Sequence, residues 1–299
     1  MMTARSVGRR RPAPPLRGRK PDRPTGTLRH PVLVTLPFIV IVSVGLLIPL
    51  VVDIWDSFRL PTFSLEPYLV TFREPVIYQS IIRTFVIAAC VTVITVTLGY
   101  VLAIAAWRAS GRRGALLLLI VCFPLLTSLV TRTYAWVLIL GRNGPVNGLL
   151  QWLGITSQPI KFLDSSGAVI VGMVHVMIPF VVLPIYNILR KIHPSLLQAS
   201  AALGASGRTT FRRIILPLSA SGGIVGGVFV FVLSLGFYIT PAVLGGPTTM
   251  MVANTIDRQA NFYLAFDTAS AIAVELLVVT LLLLGLLASR YDLTRAFKR

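Results

Sequence analysis

The chain has 299 residues, of which 55% are hydrophobic and 13% are charged, and its mean hydropathy is +0.81. Soluble domains carry roughly 25% charged residues, so this composition excludes an ordinary soluble protein and indicates an integral membrane protein. The formal net charge of +18 would suit a nucleic-acid-binding protein, but the basic residues concentrate between apolar stretches, which is typical of membrane topology.

Residues 1–30 are rich in Arg, Pro and Gly and contain almost no large apolar side chains. Such a segment cannot bury a core, so the sequence predicts a disordered basic cytoplasmic tail that lies against anionic lipid headgroups. A secretory signal peptide is the alternative interpretation. We exclude it because the apolar stretch that follows is too long for a signal h-region and lacks a clear cleavage site.

Six apolar stretches follow, and each is long enough to cross a bilayer as a helix of about 20 residues. They cover residues 32–54, 79–107, 114–140, 166–188, 217–243 and 267–289. The predicted fold class is therefore an all-α integral membrane protein with six transmembrane helices.

The charges between these stretches predict the orientation, because Lys and Arg are enriched in cytoplasmic loops. With both termini in the cytoplasm, the inner segments after the amino-terminal tail carry Arg108, Arg112, Arg113, Arg190, Lys191, Arg208, Arg212, Arg213, Arg290, Arg295, Lys298 and Arg299. Most acidic residues then lie outside: Asp53, Asp56, Glu66, Glu74, Asp164, Asp257 and Asp267. Residues 290–299 are predicted to form a second cytoplasmic tail.

Two charged residues fall within predicted spans. Arg132 lies in the third stretch, two residues before Tyr134, and Glu275 lies in the sixth. A charged side chain in a membrane helix is costly, so each must face a partner, a cavity or the interface. We hypothesise that Glu275 lines a central cavity or pairs with Arg132; the alternative is a protonated or hydrogen-bonded structural glutamate. His175, in the fourth stretch, is interpreted as a hydrogen-bonded packing residue.

The segment from Leu196 to Pro217 is the one long connection that is neither apolar nor a simple run of charge. Its composition predicts two short helices with a bend between them. Gly204 would supply the left-handed residue that ends the first helix, and Ser206 would cap the second.

The fifth span opens with two overlapping pairs of glycines four residues apart, namely Gly222 with Gly226 and Gly223 with Gly227. Such pairs let helix backbones approach closely. Packing within one subunit is the favoured interpretation, and contact between subunits is the alternative.

The end of the same stretch combines aromatic and helix-breaking residues, namely Phe237, Tyr238, Thr240 and Pro241. A proline at this depth bends or ends a helix, and freed carbonyls are tolerated only against protein or water. This end therefore either borders a translocation pathway or forms an interfacial aromatic belt. The candidate pathway residues are Arg132, Tyr134, Tyr238, Thr240 and Glu275.

The chain carries no motif for catalysis or for nucleotide binding. None of its lysines follows a glycine, which excludes a Walker A loop, and no G-x-S-x-G or H-E-x-x-H sequence occurs. Cys90 and Cys122 lie in apolar runs, and His30, His175 and His193 are scattered, so neither a disulfide framework nor a metal site is predicted.

Residues 189–217 resemble the coupling loop of ABC-importer permeases, whose pattern is E-A-A, three residues, G, nine residues and I-x-L-P. Gln198, Ala199 and Ser200 stand at the E-A-A position, Gly204 at the glycine, and residues 214–217 at the end. The departures are Gln198 for the family's glutamate and Ser200 for its second alanine. The block from Thr131 to Asn147 and the sequence F-Y-I-T-P-A-V-L-G-G resemble the spermidine/putrescine-type branch, and the matches run from about residue 77 to 289.

The resemblance implies the type I ABC importer permease fold, with a peripheral first helix at 31–55, a core at 77–289 and a coupling loop at 189–217. It implies that the residues contacting an ATPase are Leu197, Gln198, Ala199, Ser200, Ala202, Leu203, Gly204, Ala205 and Pro217. It also implies four kinds of partner, namely a second permease subunit (usually a paralogue), two ABC ATPase subunits, a periplasmic or lipid-anchored substrate-binding protein, and membrane lipid. ATP and Mg²⁺ would be bound by the ATPases, with no cofactor in this chain.

The predicted function is thus that of a non-enzymatic permease subunit, which works by alternating access in the bacterial inner membrane. The predicted substrate is a small organic solute, with a polyamine such as spermidine or putrescine as first choice and another small organic ion as the alternative. A secondary transporter or channel that works without nucleotide is the alternative from another class. It predicts inverted repeats and several acids within the spans, and neither is evident. A membrane enzyme would need a catalytic pair, which the sequence lacks.

Overall fold

The computed structural model describes residues 31–59, 62–109 and 111–290. In these residues the regular structure is helical throughout, as the sequence predicts. The predicted basic tail at 1–30 and nearly all of the predicted carboxyl-terminal tail at 290–299 lie outside the described residues. The peripheral position of the first helix stays a prediction.

The described residues form thirteen α-helices, two short 3₁₀ turns at Phe123–Leu126 and Pro247–Thr249, and one π turn at Phe211–Ile215. The helices are α1 (Pro31–Ser57), α2 (Glu66–Arg73), α3 (Pro75–Ala109), α4 (Gly111–Cys122), α5 (Leu129–Leu140), α6 (Pro145–Trp152), α7 (Ser166–Leu189), α8 (Pro194–Ala202), α9 (Gly207–Thr210), α10 (Leu216–Leu235), α11 (Ile239–Leu244), α12 (Val252–Asn261) and α13 (Phe266–Arg290). The chain divides into two compact units within α1, at Pro49, and every later helix belongs to the second unit.

Within the described residues, five helical segments are long and apolar enough to cross a membrane: Thr35–Ser57, Pro75–Ala109, Ser166–Leu189, Gly207–Leu235 and Phe266–Leu286. A sixth span exists if the bent pair Gly111–Leu126 and Leu129–Trp152 is counted as one. Five of the six predicted stretches thus correspond to single helical spans, and one is broken.

The core of the second unit is formed by α3, α7 and α10, which pack against one another. Fully buried side chains such as Val91 in α3, Met173 and Val181 in α7, and Val230 in α10 fill the space between them. These three helices make the main contacts of the second unit, and the shorter helices pack around them.

The third predicted stretch, 114–140, is broken within its length. The chain turns by 102° between Leu126 and Leu129, after a 3₁₀ turn that contains Pro124. Proline lacks a backbone N–H and cannot continue the α-helical bonding pattern, and Thr127 is extended with φ of −105° and ψ of 150°. The apolar composition predicted the span but gave no signal strong enough to place this break.

The fifth predicted stretch, about 217–243, also differs from the observed helical span in its bounds. The helical segment begins at Gly207 and α10 ends at Leu235, before Gly236, so Pro241 falls inside the separate helix α11. Proline is tolerated there because the amide groups in the first turn of a helix have no partner within that helix. The break in the span was predicted correctly, but it occurs several residues earlier than Pro241.

The stretch from α11 to the start of α12 contains a break in the helical structure and is held against α3 and α7. The Val252 amide at the start of α12 donates to Thr84 Oγ1 in α3 at 2.7 Å, and Arg83 donates to the Met250 carbonyl at 3.1 Å. Gly172 in α7 leaves room for α11, because a Cβ there would lie 2.6 Å from Leu244 Cδ1. These contacts give the irregular backbone the protein partners that it needs at membrane depth.

Candidate functional site

The connection between α7 and α10 begins with α8, a helix without a charged residue. His193 precedes it, and the Ser195 amide donates to His193 Nδ1 at 3.3 Å, which satisfies one of the free amide groups of the first turn. Pro194 occupies the first helical position, where its missing N–H costs nothing. The sequence therefore folds this segment as a separate helix rather than as an extension of α7.

Gly204 ends α8 in the left-handed conformation that the sequence predicts, with φ of +72°. The Gly204 amide donates to the Ala201 carbonyl at 2.9 Å, and the Ala205 amide donates to the Ser200 carbonyl at 3.1 Å. These two bonds together make a Schellman motif, which turns the chain sharply after the helix. The direction of the next segment is thus fixed by the backbone of four residues.

The second arm of the connection starts at Ser206, whose side chain accepts from the Thr209 amide at 3.3 Å, as predicted for a helix cap. The helix α9 runs through the π turn directly into α10, and the Leu216 amide donates to the Phe211 carbonyl. Any displacement of this arm is therefore transmitted to the axis of α10.

A hydroxyl pair joins the two arms. Ser200 Oγ lies 2.7 Å from Thr210 Oγ1, and Ser200 is 6% exposed. Ser200 is the residue that replaces the second alanine of the resembled pattern, and Thr210 was not singled out from the sequence. No sequence signal predicts this pairing, because the two residues come together only once the Schellman turn has folded.

The part of the connection formed by α8 and its C-cap presents an apolar and uncharged surface outward. Leu203 is 87% exposed and Leu196 is 46% exposed, and Gln198, Ala199 and Ala202 are also exposed. Behind this surface, a cleft of about 440 Å³ separates the connection from the end of α3 and is lined by Trp107, Arg108, Leu197, Ala201, Ala205, Gly207, Thr210 and Ile215. We call residues Pro194–Ile215 the coupling segment, and the exposed side of its first helix, α8, is suited to an apolar docking partner.

The four glycines of α10 lie on two faces of the helix. A Cβ at Gly222 or Gly226 would meet backbone atoms of α7, including Pro184 O at 2.8 Å and Val181 Cα at 2.9 Å. A Cβ at Gly223 or Gly227 would instead meet Tyr100 or Val96 of α3. All four therefore pack within this chain, and α10 rests directly on the two other core helices.

Arg132 lies at the break between α4 and α5. Its guanidinium donates to Thr127 Oγ1 at 3.2 Å, to the Thr127 carbonyl at 2.7 Å and to the Pro124 carbonyl. These acceptors belong to the residues that leave the helical bonding pattern at the turn. The geometry gives Arg132 a structural task, which is to satisfy the carbonyl groups that the break exposes.

Glu275 has different neighbours, and the hypothesis that it pairs with Arg132 was wrong. Its carboxyl group interacts with the Thr71 hydroxyl of α2, and in the described part of the chain Oε1 is buried without a hydrogen-bond partner. The ion pairs of the described residues are Arg59 with Glu66, Arg59 with Asp267, and Lys161 with Asp164. Glu275 therefore lies at the contact between α13 and α2.

The other candidate pathway residues are dispersed. Thr240 is 1% exposed, and its Oγ1 lies 3.4 Å from Thr133 Oγ1 of α5, whereas Tyr134 is 57% exposed. His175 accepts from the Trp136 indole N–H at 3.2 Å, which is the packing role that the sequence predicts.

Tyr238 lines a cleft of about 640 Å³ at the opposite end of α10 from the coupling segment. Its hydroxyl donates to Asp257 Oδ2 at 3.0 Å, and this bond to a carboxylate raises the pKa of Tyr238 above its ordinary value. Asp164 and Phe262 line the same cleft. The phenol therefore stays protonated as a donor, while Asp257 brings a carboxylate to the wall of the cleft.

The comparisons with known proteins decide the family. Residues 96–292 match the family described as the binding-protein-dependent transport system inner membrane component, which covers more than half of the chain. The chain belongs to this family. The secondary transporter, the channel and the membrane enzyme are thereby set aside, and the chain is a permease of an ABC importer.

Two curated relatives and one solved structure support this family assignment. This permease is 30% identical over 228 residues to the spermidine/putrescine transport system permease protein PotB of Escherichia coli (strain K12), covering 76% of this chain and 82% of that protein. It is 34% identical over 224 residues to the inner membrane ABC transporter permease protein YdcU of the same strain, covering 69% of this chain and 72% of that protein. A bacterial alginate ABC transporter, solved in complex with an alginate pentasaccharide-bound periplasmic protein, contains a chain that matches with a TM-score of 0.72 at 20% identity, covering 89% of this permease and 96% of that chain.

Asp257 of this permease was not predicted from the sequence to be a site residue. Asp257 was counted only as an outer charge, yet α12 carries Asn254, Asp257, Arg258 and Asn261 toward the cleft that contains Tyr238. The available signal was the strongly amphipathic sequence of α12, which is polar on one face over ten residues.

Proposed function

We propose that this permease carries a small organic cation, with a polyamine such as spermidine or putrescine as the substrate. The observation that carries the proposal is the cleft beside Tyr238, considered together with the relatives that transport spermidine and putrescine. Another small organic ion remains the alternative substrate.

The cleft offers the chemistry that an alkylammonium group requires. Asp257 accepts bonds from Tyr238 and Asn261 but makes no ion pair among the described residues, so its negative charge is not neutralised. The neighbouring Arg258 has its guanidinium over the rings of Phe262 and Tyr263, at 5.9 and 5.5 Å. The guanidinium is thus associated with these rings and not with Asp257, and a protonated amine is attracted to a free carboxylate.

We further propose that the coupling segment receives force from an ABC ATPase, which would hold the ATP and Mg²⁺ that this chain has no motif to bind. Its exposed leucines and alanines provide a docking surface, and the unbroken path from α9 into α10 would convert a push into a tilt of the core. A second permease subunit would complete the pathway, and a substrate-binding protein would deliver the cation.

The proposed orientation places the coupling segment and both termini in the cytoplasm of a bacterial cell, with the Tyr238 cleft on the outer side. The supporting observation is that Arg190, Lys191 and the arginines of α9 and the π turn lie at one end of α7 and α10, whereas Asp164 and Asp257 lie at the other.

The substrate assignment is tested by uptake of labelled spermidine into proteoliposomes that contain the complete importer and its binding protein. Asp257→Asn is expected to lower uptake at subsaturating spermidine about tenfold, because one charge-assisted contact is lost. Asp53→Asn is the matched control, since Asp53 is an exposed carboxylate that does not line the cleft. Equal uptake by the two variants would refute a role of the cleft in binding the cation.

The coupling assignment is tested separately by cross-linking. A cysteine at Ala199 or Ala202 is expected to cross-link to the ATPase subunit, with a yield that changes between the ATP-bound and nucleotide-free states. A cysteine at Ile155, which is 65% exposed and precedes the start of α7, is the control and should give no such product. Absence of ATPase adducts at both alanines during active transport would refute the assignment.

A further inference from the structure

Three arginines of the coupling segment line one cleft. A space of about 590 Å³ is bounded by Arg208, Thr209, Arg212 and Arg213, and the three arginines are exposed. No carboxylate forms an ion pair with any of these guanidinium groups within residues 31–59, 62–109 and 111–290. Three like charges therefore share a small region without a neutralising group from the described chain.

The π turn explains why these side chains come together. In a regular α-helix the residue four positions after Arg208 returns to its face, whereas the residue five positions after it does not. A π turn closes between residues i and i+5, so a helix that widens at Phe211–Ile215 brings Arg212 and Arg213 to the same side as Arg208. Such turns are rare and occur frequently at functional sites.

We propose that this arginine cleft binds a phosphate-bearing anion, and that the anion is the headgroup of an anionic phospholipid. Guanidinium groups bind phosphate oxygens through two parallel hydrogen bonds, which makes a cluster of arginines better suited to phosphate than to a single carboxylate. The inference is independent of the transported substrate and of contact with the ATPase.

The surface beside the cleft favours a lipid over free phosphate. Leu216 and Leu218 follow the arginines directly and are 37% and 47% exposed, and the membrane-spanning segment continues from there to Leu235. A phospholipid with its headgroup among the arginines would lay its acyl chains along these leucines. Free phosphate would gain nothing from the apolar surface.

The experiment uses the purified full-length permease and measures phosphatidylglycerol retained by the protein in native mass spectrometry, as a titration. Replacing Arg208, Arg212 and Arg213 together by Gln is expected to weaken phosphatidylglycerol binding by at least about tenfold, since three basic residues that attract an anionic membrane surface are removed. Phosphatidylcholine with the same acyl chains measures any apolar contribution and should bind equally to both proteins. The matched control replaces Arg108, Arg112 and Arg113 by Gln, which removes the same charge at exposed positions outside the cleft.

Four outcomes distinguish the possible ligands of the arginine cleft. Loss of phosphatidylglycerol binding in the cleft variant alone, with partial recovery when the three residues are Lys, supports the site. Equal loss in the cleft and control variants would overturn it, because general surface charge would then explain the binding. Unchanged lipid binding in the cleft variant, with loss of ATPase cross-links from Ala202, would also overturn it and assign the arginines to an acidic protein surface. If the wild-type protein binds inorganic phosphate in the cleft but retains no phosphatidylglycerol, the assignment of a lipid is overturned.

Discussion

The contact between α10 and α7 depends on two residues that have no side chain. At Gly226 a Cβ would lie 2.9 Å from Val181 Cα and 3.2 Å from the Phe180 carbonyl, and at Gly222 it would lie 2.8 Å from the Pro184 carbonyl. The atoms that it would meet are backbone atoms, which cannot move aside by rotation of a side chain. The substitutions Gly226→Ala and Gly222→Ala therefore require α10 to move away from α7.

The size of the effect follows from two opposing contributions. Overpacking of a core costs about 1–3 kcal/mol, while alanine is favoured over glycine in a helix by about 1 kcal/mol. We expect each variant to lose up to about 2 kcal/mol of stability, which corresponds to a fall of up to about 8 °C in Tm for a unit of this size. Gly285→Ala in α13 is the control, because nothing lies within 4 Å of its added Cβ, and it should be neutral or slightly stabilising.

The assay is thermal unfolding of the purified permease in detergent, followed by ATP-driven uptake in the reconstituted importer. The Gly226→Ala variant should lose more uptake activity than the decrease in its folded fraction accounts for. The reason is that α10 continues directly from the coupling segment. If Gly222→Ala and Gly226→Ala unfold at the same temperature as Gly285→Ala, the close approach of α10 and α7 is not a determinant of stability and the reasoning fails.

Three further changes test the coupling segment and the broken helix. Ser200→Ala removes the 2.7 Å contact with Thr210 and is expected to cost about 1 kcal/mol and to raise ATP hydrolysis per substrate transported; unchanged stoichiometry and Tm would show that the pair does not fix the two arms. Gly204→Ala should cost about 1–2 kcal/mol and Gly204→Asn less, because φ is +72° and the surrounding space is open; equal Tm values for the two variants would contradict a conformational origin. Arg132→Leu should lower the Tm more than Arg132→Lys, which retains a donor for the exposed carbonyls; a leucine variant as stable as the wild type would contradict this role.

Local chemistry accounts for what was predicted correctly in the coupling segment. Gly204 and Ser206 act on backbone groups only a few residues away, so their effect depends little on the rest of the fold. The apolar stretches are equally local, because length and composition alone decide whether a helix is able to span a bilayer. The family followed from the same residues, since the spacing between Gly204 and Pro217 carries the resemblance.

Partner choice within the bundle was not predictable in the same way. Arg132 and Glu275 are the two charged residues whose positions suggested a pair, yet Arg132 binds the carbonyls of its own broken helix and Glu275 faces Thr71. Sequence identifies a charge that needs a partner, but several partners satisfy the same need. The contact that forms depends on which helices become neighbours.

The sequence by itself determined the membrane-spanning helices, the two caps of the coupling segment and the membership of a permease family. Only the tertiary structure decided where the third span breaks, which faces of α10 the glycines serve, and how the π turn gathers three arginines into one cleft. The physical reason is the distance along the chain over which each interaction acts. Propensity, capping and hydrophobicity act between residues close in the chain, whereas helix breaks, backbone contacts and shared clefts depend on atoms that the fold brings together.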